Sequence, residues 1–438
     1  MPESQPVDGL VPAPSAEPAG YDAVVLLGFG GPEGQDDVIP FLRNVTRGRG
    51  VPEARLETVA AHYRSSGGVS PVNAQNRALR DALQTELAAR DTFVPVYWGN
   101  RNWAPYLRDA VTAAVDAGHT RLLALTTSAY SSYSSCRQYR EDLAEARCAT
   151  GLGDAVRIDA VRPYFDHPGF VAPFVLGVCS ALADFARQGL APDDVHVLFT
   201  THSIPMADAE QSGPRERSFG AGGAYEAQHR AVAEVVMAAV SAAADDDTVA
   251  DATPAWSLAF QSRSGPPEMP WLEPDVNDVI VVLAAAGTRA VVVVPIGFIS
   301  DHMEVSWDLD TEAAATAAAH DLGFTRVSTP GLHPAFVAGL VDLLLERLTP
   351  ATTPERCALT ALGPWTDACP VGCCEKGPAR RPGVEPSSPA GNPAAREVLY
   401  RGRRTADARA TGRTDGRHPR VTPASHRLGT LGDRAQEG

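Results

Sequence analysis

The feature that most constrains this chain is a repeated unit: a short, continuous apolar run, cut off by a glycine-, serine- or histidine-rich segment and followed by helical periodicity. Tyr21–Leu27 runs into GFGGPEG, Arg121–Thr127 into SAYSSYSSCRQY, Val195–Thr201 into HSIP, and Ala290–Pro295 into IGFISDHMEVSWDLD. Thr92–Tyr97 and Trp256–Gln261 are further runs of this kind. Between them lie helical patterns over Asn76–Ala89, Trp103–Ala117, Phe170–Arg187, Tyr225–Ala243, Asp275–Ala286 and Pro334–Leu348. A strand that is apolar throughout, rather than at every second residue, is buried on both faces and reads as parallel. Strands alternating with helices predict an α/β fold of two doubly wound, Rossmann-like domains with parallel sheets. The expected organisation is a disordered extension over 1–20, α/β domains over 21–160 and 161–348, a cysteine-bearing segment over 349–374, and a disordered basic tail over 375–438. In such folds ligands bind beyond the C-terminal ends of the strands. The most unusual segments of this sequence sit at those ends.

Charge narrows the partners. The chain carries a net charge of −15, although thirteen basic and seven acidic residues follow Cys374. So acidic a body argues against nucleic acid and is compatible with a cationic ligand; the tail reads as solvated. The N-terminus has neither a basic n-region nor an apolar h-region, and no apolar run reaches about 18 residues. A cytoplasmic protein without a transmembrane segment is expected. Seven cysteines, an odd number, fit a reducing compartment better than a disulfide framework. Three of them, Cys369, Cys373 and Cys374, are clustered and need a separate explanation.

Two groups stand out chemically. His202 ends a strand, where an imidazole faces the crevice and can take a proton or bind a metal at neutral pH. Glu304, Asp308 and Glu312 are spaced i, i+4, i+8 and would share one helical face, with Asp301 and His302 on others. Three stacked carboxylates are either a solvated stripe or a ladder carrying a divalent cation inward. GFGGPEG is not a dinucleotide fingerprint, because Glu33 stands where the third glycine belongs, and it lacks the lysine of a phosphate loop. It reads as a tight turn. His62 and Tyr63 with GGVSP form a second turn-rich loop suited to an apolar ring with polar edges.

LLGFGGPEG, FLRNVTRGRG, HYRSSGGVSPVNAQN, THSIP and PIGFISDHMEVSWDLD, in that order, resemble the ferrochelatase family over roughly residues 21–345. The resemblance implies a chelatase fold and insertion of Fe²⁺ into a porphyrin. NVTRGRG and YSSYSSCRQY look like the actinobacterial branch, whose members metallate coproporphyrin III; protoporphyrin IX and a non-catalytic porphyrin-binding role are the alternatives. By resemblance, His202 is the proton acceptor or iron ligand, Glu304 faces it, and Asp308 and Glu312 form the metal relay. Ser70, Tyr139, Tyr63, Phe29 and Arg47 would contact porphyrin. Phe29 replaces a tyrosine that ligates product iron in some relatives, and Ala129 replaces a histidine of an outer metal site. Several members also hold a [2Fe–2S] cluster, which implies Cys136, Cys369, Cys373 and Cys374 as ligands, with Cys357 in reserve. Cys148 and Cys179 read as core residues. A monomer is expected.

Overall fold

The computed structural model describes residues 20–48, 50–243, 253–265, 268–348 and 356–377. Nearly all of the predicted N-terminal extension and basic tail therefore lie outside the described residues. The first half contains β1 (Ala23–Gly28), α1 (Val38–Val45), α2 (Glu53–Ser65), α3 (Val72–Ala89), β2 (Val96–Asn100), α4 (Leu107–Asp116), β3 (Arg121–Thr126), α5 (Gln138–Ala149) and β4 (Arg157–Ala160). The second continues with α6 (Pro168–Arg187), β5 (Val195–His202), α7 (Met206–Glu210), α8 (Gly223–Ala243), β6 (Ala255–Gln261), α9 (Val276–Ala285) and β7 (Ala290–Val294). It closes with α10 (Met303–Val305), α11 (Ala314–Ala319), β8 (Gly323–Arg326) and α12 (Pro334–Leu348). Two segments are π-helical: Tyr133–Arg137 before α5, and Ser306–Ala313 between α10 and α11.

Both sheets are four-stranded and parallel, and they share one topology: β2-β1-β3-β4 and β6-β5-β7-β8. In each, the first strand lies between the next two, so the chain leaves it to opposite sides. That is a topological switch point, where the loops after the central strand open a crevice. GFGGPEG follows β1, and His202 ends β5. Burial explains the apolar runs. Val24 and Leu26 of β1 face the large core, while Ala23, Val25 and Leu27 face a second cluster with Leu107, Val111 and Leu143.

α6 is long and apolar enough to cross a membrane by length and composition. Its apolarity is accounted for by packing: Phe170, Phe174, Val178 and Phe185 are buried, and the helix lies against α8, α12 and β7. α12 packs on both α6 and α3, and Arg90 after α3 pairs with Asp342 at 2.5 Å. Arg162, fully buried, grips Glu346 of α12 with two hydrogen bonds of 2.9 and 3.0 Å. The α6–α12 crossing is made by glycines. A Cβ on Gly339 would stand 2.8 Å from His167 Nδ1 and 2.9 Å from Gly169 Cα.

Helical glycine ordinarily costs about 1 kcal/mol relative to alanine. Here the close crossing reverses that preference. Gly339→Ala is expected to destabilise the fold by about 1–3 kcal/mol through overpacking, read by denaturant unfolding. A stabilised variant would show that the contact is looser than described.

Candidate active site

β5 is buried over its first seven residues, and only the last, His202, emerges half-buried into the crevice. Its Nδ1 hydrogen-bonds the Ser203 carbonyl oxygen. A carbonyl can only accept, so Nδ1 carries the proton, and in the neutral form of the ring Nε2 offers a lone pair outward. Nε2 lies 3.7 Å from Glu304 Oε2. Two electron-rich groups thus face each other across a gap with no proton fixed between them, which a proton or a metal cation would reconcile.

Glu304 lies on α10, at the mouth of the π-helical segment. The shared face expected of an α-helix is therefore built differently. Asp308 and Glu312 lie in a wider π turn, a geometry that recurs at functional sites. The three carboxylates still act on one another. Burial pushes the Asp308 carboxyl up to about 7; hydrogen bonds from Ser262 and Gln261 oppose this, and the charges of Glu304 and Glu312 add to it. Glu312 is exposed and accepts a 2.8 Å hydrogen bond from Trp307 Nε1. The ladder thus runs from an exposed carboxylate to a half-buried one beside His202. His302 is closer to this group than its helical phase implied. Burial pushes its imidazole down, with Glu304 and His202 both near enough to act on it. Asp301 is instead engaged by Arg326 and Thr329.

The first half supplies an aromatic wall. Phe41 packs edge-on against Phe29 at 6.5 Å and Trp103 at 6.1 Å, and lies 6.0 Å from Tyr63. Burial raises the Tyr63 phenol well above its usual value, and the charges of Glu304 and Asp308 raise it further, so this wall looks onto the carboxylates. His62 stacks on Trp307 at 4.2 Å. His62 and Tyr63 lie at the end of α2 rather than in a loop. Phe41, Trp103 and Trp307 were not singled out in the sequence; no local pattern marks them. The glycines of GFGGPEG make a tight turn, and their near neighbours are protein atoms. Gly30 has φ 86°, and a Cβ on Gly31 would stand 2.7 Å from Ser70 Cβ.

The remaining candidates are scattered. Ser70 is buried against that turn, and its N–H donates to the Pro32 carbonyl. Arg47 is exposed, with Nη2 bonded to Asn44 Oδ1 at 2.6 Å. Tyr139 is buried in the cluster behind the first sheet, with the Arg101 guanidinium 3.8 Å above its ring. Phe29 remains 40% exposed, whereas Ala129 is buried.

A second group gathers at four thiols. Cys136 sits in the π-helical turn before α5 and contacts Cys369 and Cys374; Cys373 contacts Cys369 and lies 3.7 Å from Cys374 Sγ to Sγ. Adjacent cysteines can both turn inward because Cys374 takes a left-handed backbone, φ 55°. Hydrogen bonds from Cys136 and Cys373, with Arg140 alongside, hold the Cys369 thiol well below its usual value, while Cys136 is raised by its thiol neighbours. Cys357 is exposed and outside this ring. Cys179 packs against the core, but Cys148 is exposed on α5 rather than a core residue. Among the described residues, no three His, Cys, Asp or Glu side chains stand in the arrangement of a single metal-ion site.

Paired parallel sheets, with an imidazole and a carboxylate ladder at one switch point and an aromatic wall at the other, define an α/β enzyme of the chelatase type. The family model described as Ferrochelatase matches residues 21–348. A protein of Leifsonia xyli subsp. xyli named coproporphyrin III ferrochelatase is 57% identical over 369 residues, covering 82% of this chain and 92% of its own. One of the same name from Streptomyces griseus is 54% identical over 84% of this chain and 96% of its own. A ferrochelatase of Rhodopirellula baltica is 45% identical over 83% and 95%. The chain belongs to the ferrochelatase family.

Asp308 yields a pH prediction. Its folded value, about 7, lies above that of the unfolded chain, about 4. Between those values the folded protein keeps a proton that the unfolded chain releases, so stability falls as pH rises. In metal-free protein the melting temperature should drop between about pH 4 and pH 7, and Asp308→Asn should flatten that drop. An unchanged slope in the variant would remove Asp308 as its source.

Proposed function

We propose that this enzyme inserts Fe²⁺ into coproporphyrin III, releasing two protons and forming the iron porphyrin. The observation that carries the reading is the His202–Glu304 pair at the end of β5, set in a chain whose relatives bear the name coproporphyrin III ferrochelatase. A planar macrocycle would lie against the Phe29–Phe41–Tyr63 wall, with Arg47 and Ser70 as polar contacts at its edge. Insertion requires the loss of two pyrrole protons and the stripping of water from iron. His202 Nε2 carries a lone pair and acts as general base, a role worth about 10²–10⁴-fold in rate. Glu304, 3.7 Å away, is the second polar group at the point of insertion. Asp308 and Glu312 pass the cation inward or the protons outward, and Asp308, whose carboxyl burial pushes up to about 7, can exchange either. Phe29 cannot ligate, so product iron takes no side-chain ligand there. Tyr139, held beneath Arg101, supports α5 from the core and would touch porphyrin only if that packing opened. Protoporphyrin IX is the alternative substrate; a porphyrin-binding protein without catalysis is the alternative class.

We further propose that Cys136, Cys369, Cys373 and Cys374 hold a [2Fe–2S] cluster. Four sulfurs joined in a ring of contacts, one of them favoured as thiolate, match the donor set such a cluster needs. Bound there, the cluster would supply a redox-active cross-link; the insertion chemistry does not require it. The cytoplasm, as a reducing compartment, suits this thiol set.

Two measurements test these readings. His202→Ala should lower the anaerobic rate of iron insertion into coproporphyrin III by about 100-fold or more, with porphyrin affinity nearly unchanged. Normal insertion by the variant would overturn the role, and equal rates with protoporphyrin IX would overturn the substrate. Protein purified without oxygen should be reddish and contain equal amounts of iron and sulfide. Cys136→Ser should lose both, whereas Cys357→Ser should keep them. A colourless protein holding equimolar zinc would refute the cluster.

A further inference from the structure

His202 is positioned through its own backbone. The peptide that joins it to Ser203 is held from both sides. Ser203 N–H donates to the Gln261 carbonyl oxygen at 2.8 Å, and the Tyr225 hydroxyl donates to the His202 carbonyl oxygen at 2.9 Å. Ser203 Oγ is tied in turn to the Leu272 carbonyl at 2.8 Å. The Tyr225 hydroxyl also lies 2.8 Å from Thr201 Oγ1. A phenol has one proton. Since Tyr225 gives it to His202 O, Thr201 must donate to Tyr225, and the order is Thr201 O–H to Tyr225 O–H to His202 C=O. Each link polarises the next.

The surroundings are built around this relay. Tyr225 and Thr201 are buried, at 5% and 0% exposure. Gly297 leaves room for the threonine, since a Cβ there would strike Thr201 Oγ1. Tyr225 is fixed at the start of α8, where its N–H donates to Ser212 Oγ at 2.9 Å. Gly223, with φ 60°, lets the helix begin against Ala209. Neither hydroxyl faces the gap between His202 and Glu304.

We propose that Thr201 and Tyr225 are positioning residues for His202: their hydroxyl relay locks the 202–203 peptide so that Nδ1 stays bonded to Ser203 O and Nε2 faces Glu304. This rests on His202 as the base of the proposed reaction. Without the relay the peptide is held from one side only, and the imidazole can swing from its productive pose, where an error of about 1 Å costs up to 10²-fold.

The test uses Tyr225→Phe, Thr201→Val and the double variant, with Tyr164→Phe as control. Tyr164 is an equally buried tyrosine whose hydroxyl donates to the Thr126 carbonyl at 2.9 Å, away from His202. Tyr225→Phe should lower kcat for iron insertion about 10-fold or more and leave KM for porphyrin unchanged. Thr201→Val should do less, and the double variant should match Tyr225→Phe, because the relay fails as a unit. Tyr164→Phe should lose comparable thermal stability while keeping kcat. In isotope-labelled protein the His202 imidazole resonance, identified by its loss in His202→Ala, should shift and broaden in Tyr225→Phe and the double variant but not in Tyr164→Phe. Wild-type kcat together with an unmoved resonance in Tyr225→Phe overturns the proposal, as does an equal loss of kcat in Tyr164→Phe. If the wild type itself inserts no iron, the functional reading falls, and the resonance alone decides whether the relay holds the ring.

Discussion

The active-site geometry depends on the burial of β5. Seven consecutive residues of this strand are enclosed, and it is hydrogen-bonded in register to β6 on one side and β7 on the other. Such a strand has almost no freedom to slide or twist, because a one-residue slip would exchange its two buried faces. His202 is the first residue beyond that enclosure. Its Cα is thus fixed by the core, and only its side chain and the following peptide remain to be set. Gln261 ends β6 beside it and supplies both the carbonyl that holds Ser203 and the side-chain amide that bonds Asp308 at 3.3 Å. One residue therefore ties His202 to the carboxylate ladder.

The ladder has an electrostatic cost. Glu304, Asp308 and Glu312 repel one another, and burial adds to the cost at Asp308. The π-helical segment accommodates this without an arginine or lysine salt bridge to Glu304 or Asp308 among the described interactions; Ser262 and Gln261 provide neutral donors instead. These neutral donors offset part of the cost without adding a charge. Arg326 is committed to Asp301 and Asp310 instead.

The parallel sheets are legible in the sequence because burial on both faces writes itself as uninterrupted apolar runs, as in AVVVV over β7. The edge strands β4 and β8 are not. RIDA and GFTR are four residues each, half-buried, and carry no such run. α1 and α2 also escape, since α2 (EARLETVAAHYRS) buries only Leu56, Ala60 and Tyr63. Within the site, His202 and Glu304 are legible because each follows a readable strand. The π turn is not, because its spacing also satisfies an α-helix. The Thr201–Tyr225 relay is beyond sequence reading: it joins a strand residue to the start of a helix across a loop, and both side chains look like ordinary core positions.

The thiol ring shows how far the second half reaches. Three of its cysteines lie on the segment after α12, and that segment is fastened to α7 and the loop after it, which follow His202. Lys376, the only lysine in the chain, donates to Asp208 Oδ2 at 2.8 Å, and Gly377 N–H donates to Oδ1 at 2.9 Å. Gly213 N–H donates to Cys374 Sγ at 3.2 Å, one residue beyond the Ser212 that caps Tyr225. The fourth thiol, Cys136, comes from the turn after β3, and Lys376 also stands 4.7 Å above the ring of Tyr133 in that turn. The ring can therefore close only when loops of both sheets are in place. A chain of direct bonds leads from Cys374 through Gly213, Ser212 and Tyr225 to His202, so the same folded loop that completes the thiol ring also fixes the start of α8 and, with it, the hydroxyl that holds the His202 carbonyl.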